Sequence, residues 1–255
     1  MTITVEICVD TPDGLAAALA AGADRIELCA ALALGGLTPS AGLISLAAGL
    51  AIPVYAMVRP REGDFLATPA EIDQMRRDID AIRAAGLAGV VFGVSDVDGR
   101  LDTEALGRLV AHAEGLGTTL HRAFDLAPDP FEAIETAIAL GFERVLTSGG
   151  ALRVEDALPR VAALIAQAAG RIAVMPGGGV TAENAETILK KTGAVEIHAS
   201  CRQARLDIAP AAVALGFATA PTRPATSESG VRALVEAVRA GLSGSWRDDW
   251  GAHIG

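Results

Sequence analysis

From residue 4 to residue 241 the chain alternates short β-branched runs with alanine-rich stretches of helical length, and few folds accept that pattern. The runs are TVEICV (4–9), RIELCA (25–30), PVYAMVR (53–59), GVVFGV (89–94), TTLHRAF (118–124), RVLTSG (144–149), RIAVMPG (171–177) and VEIHAS (195–200). Helices are expected near 13–21, 40–49, 69–85, 102–115, 130–140, 153–169 and 181–191, with one more near 228–241. Strict alternation predicts parallel strands, which need helical crossovers. Eight such units close a single-domain α/β barrel of the TIM (β/α)8 class. An open doubly wound sheet is the competing arrangement. It would want a glycine-rich turn after the first strand, and VDTPDG (9–14) is a poor dinucleotide loop.

Punctuation agrees with the barrel. Thr68-Pro-Ala-Glu71 and Asp129-Pro-Phe-Glu132 have the form of a capping box with proline at the first helical position. At 255 residues the chain is long for one domain but ordinary for this fold, so residues 1–255 read as one domain. The Pro/Thr/Ser-rich segment 216–229 reads as a loop into the last helix, and the tail from about 243 to 255, with two tryptophans, as a surface extension. Net charge is −10 with no basic run, which speaks against nucleic acid. The apolar stretch 30–58 is broken by Gly35-Gly36, Pro39 and Pro53, so no membrane span is expected, and the N-terminus lacks the basic start of a signal peptide. Three cysteines make no disulfide framework and favour a reducing compartment.

Barrel strands send alternate side chains to the axis and the others to the helices, which demand apolar partners. Val5, Ile7, Val9, Ile26 and Leu28 therefore face outward. Glu6, Cys8, Asp10, Arg25, Glu27, Cys29, Tyr55, Met57, Arg59, Thr119, His121, Glu196, His198 and Ser200 then face inward. The fifth strand ends in TTLHRAFD (118–125), delivering His121, Arg122 and Asp125 where this fold places its sites. A lone inward histidine or glutamate is usually a satisfied core residue. Five charged or titratable side chains converging from five strands, Glu6, Glu27, Arg59, His121 and His198, form instead a candidate acid–base set. In that set Arg59 would clamp an anion and His121 would move the proton.

Two glycine loops add an anion cradle. TSGG (147–150) supplies Ser148 and Gly149, and MPGGGV (175–180) supplies Gly177, Gly178 and Gly179 just before a helix, where backbone N–H groups can meet a phosphate or carboxylate. Such glycines equally make plain tight turns. Cys8 and Cys29 each stand two residues beyond an inward glutamate on neighbouring strands. Side by side, with Cα atoms about 4.4–6.8 Å apart, two thiolates suit the soft ion Cu(I). Met57 or a histidine could add a ligand. Buried cysteine is also simply a small apolar group, and a spacing of 21 residues is no zinc pattern. No organic cofactor is expected.

At these residues the chain resembles the CutC family of copper homeostasis proteins. The matching stretches are EICVD (6–10), GADRIELCAALALGGLTPS (22–40), IPVYAMVRPREGDF (52–65), VVFGV (90–94), LHRAFDLAPDP (120–130), RVLTSGG (144–150), RIAVMPGGGV (171–180) and EIHAS (196–200). The resemblance implies a TIM barrel, a cytoplasmic homodimer and Cu(I) binding, with the copper cysteines carried over onto Cys8 and Cys29. Cys201 follows HAS where the family usually has alanine, and the match weakens after residue 205. A copper carrier does not need Arg59, His121, His198 and the glycine loops. An enzyme performing acid–base chemistry on a small phosphorylated or carboxylated molecule is therefore the alternative, and a non-catalytic barrel used in dimeric assembly is a third.

Overall fold

The alternating runs form strands close to where the pattern places them. In the computed structural model, which describes residues 2–243, β1 (Thr4–Val9), β2 (Arg25–Leu28), β3 (Val54–Met57), β4 (Gly89–Phe92), β5 (Gly117–Leu120), β6 (Arg144–Thr147), β7 (Ala173–Pro176) and β8 (Glu196–Ala199) make one parallel sheet. Its hydrogen-bonded order is β7-β6-β5-β4-β3-β2-β1-β8, and β7 packs beside β8 to bring the two ends together. This is the TIM barrel, not the doubly wound sheet.

Between the strands run α1 (Pro12–Ala20), α2 (Ala41–Ala47), α3 (Pro69–Ala84), α4 (Thr103–His112), α5 (Pro130–Leu140), α6 (Leu158–Ala168) and α7 (Ala185–Thr192). Thr68 and Glu71 form the expected reciprocal capping box on α3. The Asp129 carboxylate accepts the N–H groups of Phe131 and Glu132 at the start of α5. Both caps satisfy donors that a helix start leaves orphaned.

Strand alternation divides the apolar side chains in two. Val5, Ile7, Val9, Ile26, Leu28, Val90 and Phe92 pack outward against helix residues such as Ile79, Leu106, Ile134 and Val161. Cys8, Cys29, Leu32, Tyr55, Met57 and Val91 form a separate cluster. Tyr55 reaches across because β4 and β5 begin with glycine. A Cβ on Gly89 would lie 2.3 Å from its ring, and one on Gly117 would lie 2.2 Å from its hydroxyl.

The chain after β8 departs from expectation. Segment 216–229 is not a plain loop. β9 (Arg202–Leu206) pairs antiparallel with β10 (Thr222–Thr226), enclosing α8 (Pro210–Ala214), and α9 (Glu228–Ser243) follows. RQARL and TRPAT carry no apolar alternation to announce strands, and Pro224 is tolerated because a two-stranded ribbon is all edge. α9 packs on α1, α7 and β1, completing the helical ring as its eighth member. The tail with its two tryptophans lies outside the described residues apart from its first. Among the described residues no helix is long and apolar enough to cross a membrane.

Candidate functional site

The polar residues inside the barrel separate into three levels. At the floor, toward the strands' N-terminal ends, Glu6 Oε2 receives Arg25 Nε, and Arg25 Nη2 donates to Glu196 Oε2 at 2.5 Å. Arg144, from the start of β6, binds both Glu196 oxygens and donates to Thr119 Oγ1 at 3.0 Å. The Tyr55 ring lies against both guanidinium groups, 5.5 Å from that of Arg25 and 5.2 Å from that of Arg144. The Tyr55 hydroxyl donates to Glu143 Oε2 at 3.0 Å. Burial pushes the Glu6 carboxyl up, but the His198 hydrogen bond and the charges of Arg25 and His198 outweigh it and hold the group at about 2. Glu6, expected in the acid–base set, is thus a fully paired structural anion. Arg144 was missed because only five strands were sorted by facing. The same rule applied to RVLT, with Val145 outward, finds it.

One level higher, Cys8, Glu27 and His198 meet. One ligand atom from each lies within 4.8 Å of the other two, and all three residues are buried. His198 Nδ1 is 2.8 Å from Glu6 Oε1, so Glu6 orients the ring and leaves Nε2 facing Glu27 Oε2 at 3.9 Å. Burial pushes the His198 imidazole down, yet Cys8, Glu27 and the Glu6 hydrogen bond together raise it well above its ordinary value. Burial, helped by the Glu6 charge, raises the Glu27 carboxyl. The two thiols are not directly opposite. The strand register pairs Cys8 with Glu27, so Cys29 sits two residues farther along. They are diagonal neighbours, not the directly opposed pair expected from the sequence. The barrel's stagger is the reason: equal positions in adjacent strands are not level. Cys29 still reaches the group from the side, its Sγ 3.5 Å from Glu27 Oε2, and burial with the Glu27 charge pushes its thiol well up. Cys201, at φ +46°, is pushed up to about 12 by burial and the neighbouring Cys8.

At the mouth, Arg59 is committed differently from the expected clamp. Its Nη1 donates to the carbonyls of Leu34 (2.9 Å) and Gly36 (3.1 Å), and its Nη2 to that of Gly63 (2.9 Å), tying two loops together. His121 Nδ1 accepts the N–H of Ala123 at 3.2 Å. Burial and the Arg59 charge lower the imidazole to about 3, so at neutral pH it is a neutral ring with its proton on Nε2. It accepts one hydrogen bond and keeps an unpartnered N–H, and it is ill placed to accept the proton the acid–base reading asks of it. Gly93 makes its place: a Cβ there would lie 2.6 Å from the His121 ring. Glu27 Oε1, Arg59 Nε, Ser95 Oγ and His121 Nε2 are buried without a hydrogen-bond partner.

The TSGG cradle already holds an anion, and it is the protein's own. The Asp125 carboxylate accepts the N–H groups of Ser148 (3.1 Å) and Gly150 (3.1 Å), the Thr147 hydroxyl (2.5 Å) and Arg122 Nε (2.7 Å). The Gly149 N–H goes to Thr147 Oγ1. Ser148 and Gly149 are therefore engaged internally, and Arg122 and Asp125, noticed at the end of TTLHRAFD, are the residues that engage this loop. The Gly177 N–H donates to the Thr147 carbonyl at 2.9 Å, while Gly178 and Gly179 take positive φ. α7 begins at Ala185, so the glycines do not lead straight into a helix as expected.

The CutC family model matches residues 3–203. A family protein CutC from Sinorhizobium medicae is 55% identical over 232 residues, covering 91% of this chain and 94% of that protein. The human copper homeostasis protein cutC homolog is 47% identical over 202 residues, covering 79% of this chain and 74% of its own. A crystal structure of the CutC protein from Streptococcus agalactiae superposes with a TM-score of 0.74 at 35% identity, over 77% of this chain and 98% of that one. An N-(5'-phosphoribosyl)anthranilate isomerase from Pyrococcus furiosus, 15% identical with a TM-score of 0.56 over 93% of this chain and 99% of its own, shares the fold alone.

Proposed function

This chain belongs to the CutC family, and from that premise we propose that it serves copper homeostasis by binding Cu(I) inside the barrel, through Cys8 and His198 with Cys29 as the second thiol. The observation that carries the reading is the convergence of Cys8, Glu27 and His198 in one buried group. A thiolate and an imidazole nitrogen are soft and borderline donors suited to Cu(I). Glu6 on Nδ1 is the outer carboxylate that a metal-binding histidine commonly has, and it presents Nε2 as the ligand atom. The Glu27 oxygen without a partner adds a group that an ion would satisfy. Binding would displace the protons that burial holds on Cys29 and that its neighbours hold on His198.

The test is a Cu(I) competition titration of the reduced protein against a chromophoric chelator. One site per chain is expected, weakened at least tenfold in Cys8→Ser and in His198→Ala, and lost in Cys8→Ala/Cys29→Ala. Unchanged affinity in the double variant would sink the reading. Weakening by Cys8→Ser without any effect of Cys29→Ser would leave a one-thiol site and remove Cys29 from it.

A further inference from the structure

We infer that Arg59, Ser95 and His121 form a subsite for a small monocarboxylate at the C-terminal mouth of the barrel, gathered about Phe65. The inference does not rest on the copper reading, because none of the three residues belongs to the Cys8–Glu27–His198 group.

Arg59, Ser95 and His121 are 8%, 4% and 3% exposed, and each keeps one polar side-chain atom without a partner: Nε, Oγ and Nε2. Native proteins rarely leave one buried polar group unsatisfied, and here three belong to residues that meet Phe65, two at its ring and one at its backbone. The Phe65 ring lies 4.9 Å from the Arg59 guanidinium carbon and 4.8 Å from the His121 ring, and its backbone carbonyl accepts the Ser95 N–H at 2.9 Å. The polarity of the atoms defines the ligand. Arg59 Nε carries a hydrogen. His121 Nε2 carries one because Nδ1 is the acceptor from Ala123. Ser95 offers a hydroxyl. Three donors with no acceptor to meet call for an oxygen-rich group.

Charge narrows it further. Arg59 is a buried guanidinium whose side-chain hydrogen bonds go to neutral carbonyls, and the Glu62 and Asp64 carboxylates act on it only without direct contact. A water molecule would satisfy its Nε but would not balance its charge, which is costly to bury unpaired. His121 is neutral and the charges of Arg61, Glu62 and Asp64 act on Arg59 with opposing signs, so the guanidinium is the charge presented at the three donors, and it favours an anion. Three of the five guanidinium hydrogens go to carbonyls, which leaves Nε–H and one Nη2 hydrogen, a side-on pair that matches the two oxygens of a carboxylate. Three donors suit a carboxylate, with about four lone-pair sites.

The experiment is thermal unfolding and calorimetric titration of the full chain in chelator-containing, metal-free buffer. Sodium acetate, glycolate and pyruvate serve as probes, with inorganic phosphate and chloride at matched ionic strength as comparisons. At least one monocarboxylate is expected to raise Tm in a saturable way, by several degrees at concentrations well above its Kd. Ser95→Ala and His121→Phe should each lose at least half of that shift, and Arg59→Lys should lose it. Ser95→Ala removes an unsatisfied hydroxyl, so the free protein should unfold no earlier than the parent, which separates loss of the site from loss of the fold. The inference is overturned if no monocarboxylate exceeds chloride, if the shift survives both Ser95→Ala and His121→Phe, or if phosphate outcompetes every carboxylate at the same residues.

Discussion

The floor and the mouth of this barrel are built from the same residue types and finished in opposite ways. At the floor, Glu6, Arg25, Glu196 and Arg144 use their charges on one another, and none has a buried side-chain atom without a partner. Above it, Glu27 and, at the mouth, Arg59, Ser95 and His121 are as buried, yet each leaves an atom unsatisfied. Burial alone therefore does not distinguish a functional polar group from a structural one. Completeness of its hydrogen bonding does, because a finished network rigidifies a core and an unfinished one awaits a ligand.

The largest effect should come from breaking the floor. Arg25→Met removes the cation shared by Glu6 and Glu196 and leaves carboxylates buried beside His198 and Arg144 alone. A loss of about 3–5 kcal/mol in urea unfolding is expected, the range for stripping one partner from a buried ion pair. A loss below about 1 kcal/mol would mean that water reaches the floor and that its pairing is not what holds it.

Next comes the cradle filled by Asp125. Asp125→Ala strands the N–H groups of Ser148 and Gly150, the Thr147 hydroxyl and Arg122. Bonds to a charged acceptor contribute about 1.5–3 kcal/mol each but are not additive, so a loss near 3 kcal/mol is expected. Formate or acetate should restore part of it by occupying the vacated place. Rescue by neither, at concentrations that leave the parent's Tm unchanged, would show that the loop collapses when Asp125 is removed.

The third effect follows pH. The His121 imidazole sits at about 3 in the folded chain, pushed down by burial and Arg59, against 6.5 for the free group. The unfolded chain thus binds the extra proton between these values, and stability falls as pH falls from 6.5 toward 3. The slope from this one group is at most about 1.4 kcal/mol per pH unit. His121→Phe should flatten that stretch of the stability curve. A parent and variant with parallel curves from pH 6.5 to 4 would show that the ring is not held neutral.

Much of this was legible beforehand, and its limits are physical. Eight strands could be placed because the helix-facing side must be apolar, and the same rule turned Glu6, Glu27, His121 and His198 inward. Facing does not give level. Cys8 and Cys29 looked equivalent by count, and the stagger of the sheet put Glu27 opposite Cys8. Nor does facing say whether a group is already satisfied. Arg59 looked like a free clamp, but three of its hydrogen bonds go to carbonyls at Leu34, Gly36 and Gly63, which have no signature in a sequence. The TSGG loop looked like an anion site and is one, with an occupant 23 residues earlier in the chain. The β9–β10 ribbon escaped because its strands bury little and show no alternation.

The smallest expected effect is the sharpest discriminator between floor and mouth. Ser95 is 4% exposed and its Oγ has no partner, so its hydroxyl contributes desolvation without a hydrogen bond. Removing a buried hydroxyl that does have a partner costs about 1 kcal/mol. Thr119, whose Oγ1 accepts from Arg144 at the floor, is the matched control. Thr119→Val should destabilise by about that amount or more, since it also leaves a guanidinium N–H unpaired. Ser95→Ala in ligand-free protein should change stability by no more than about 0.5 kcal/mol, or raise it. If the serine is the more costly of the two, a hydrogen bond at the mouth is already made, and the contrast between a finished floor and an unfinished mouth fails at its most direct point.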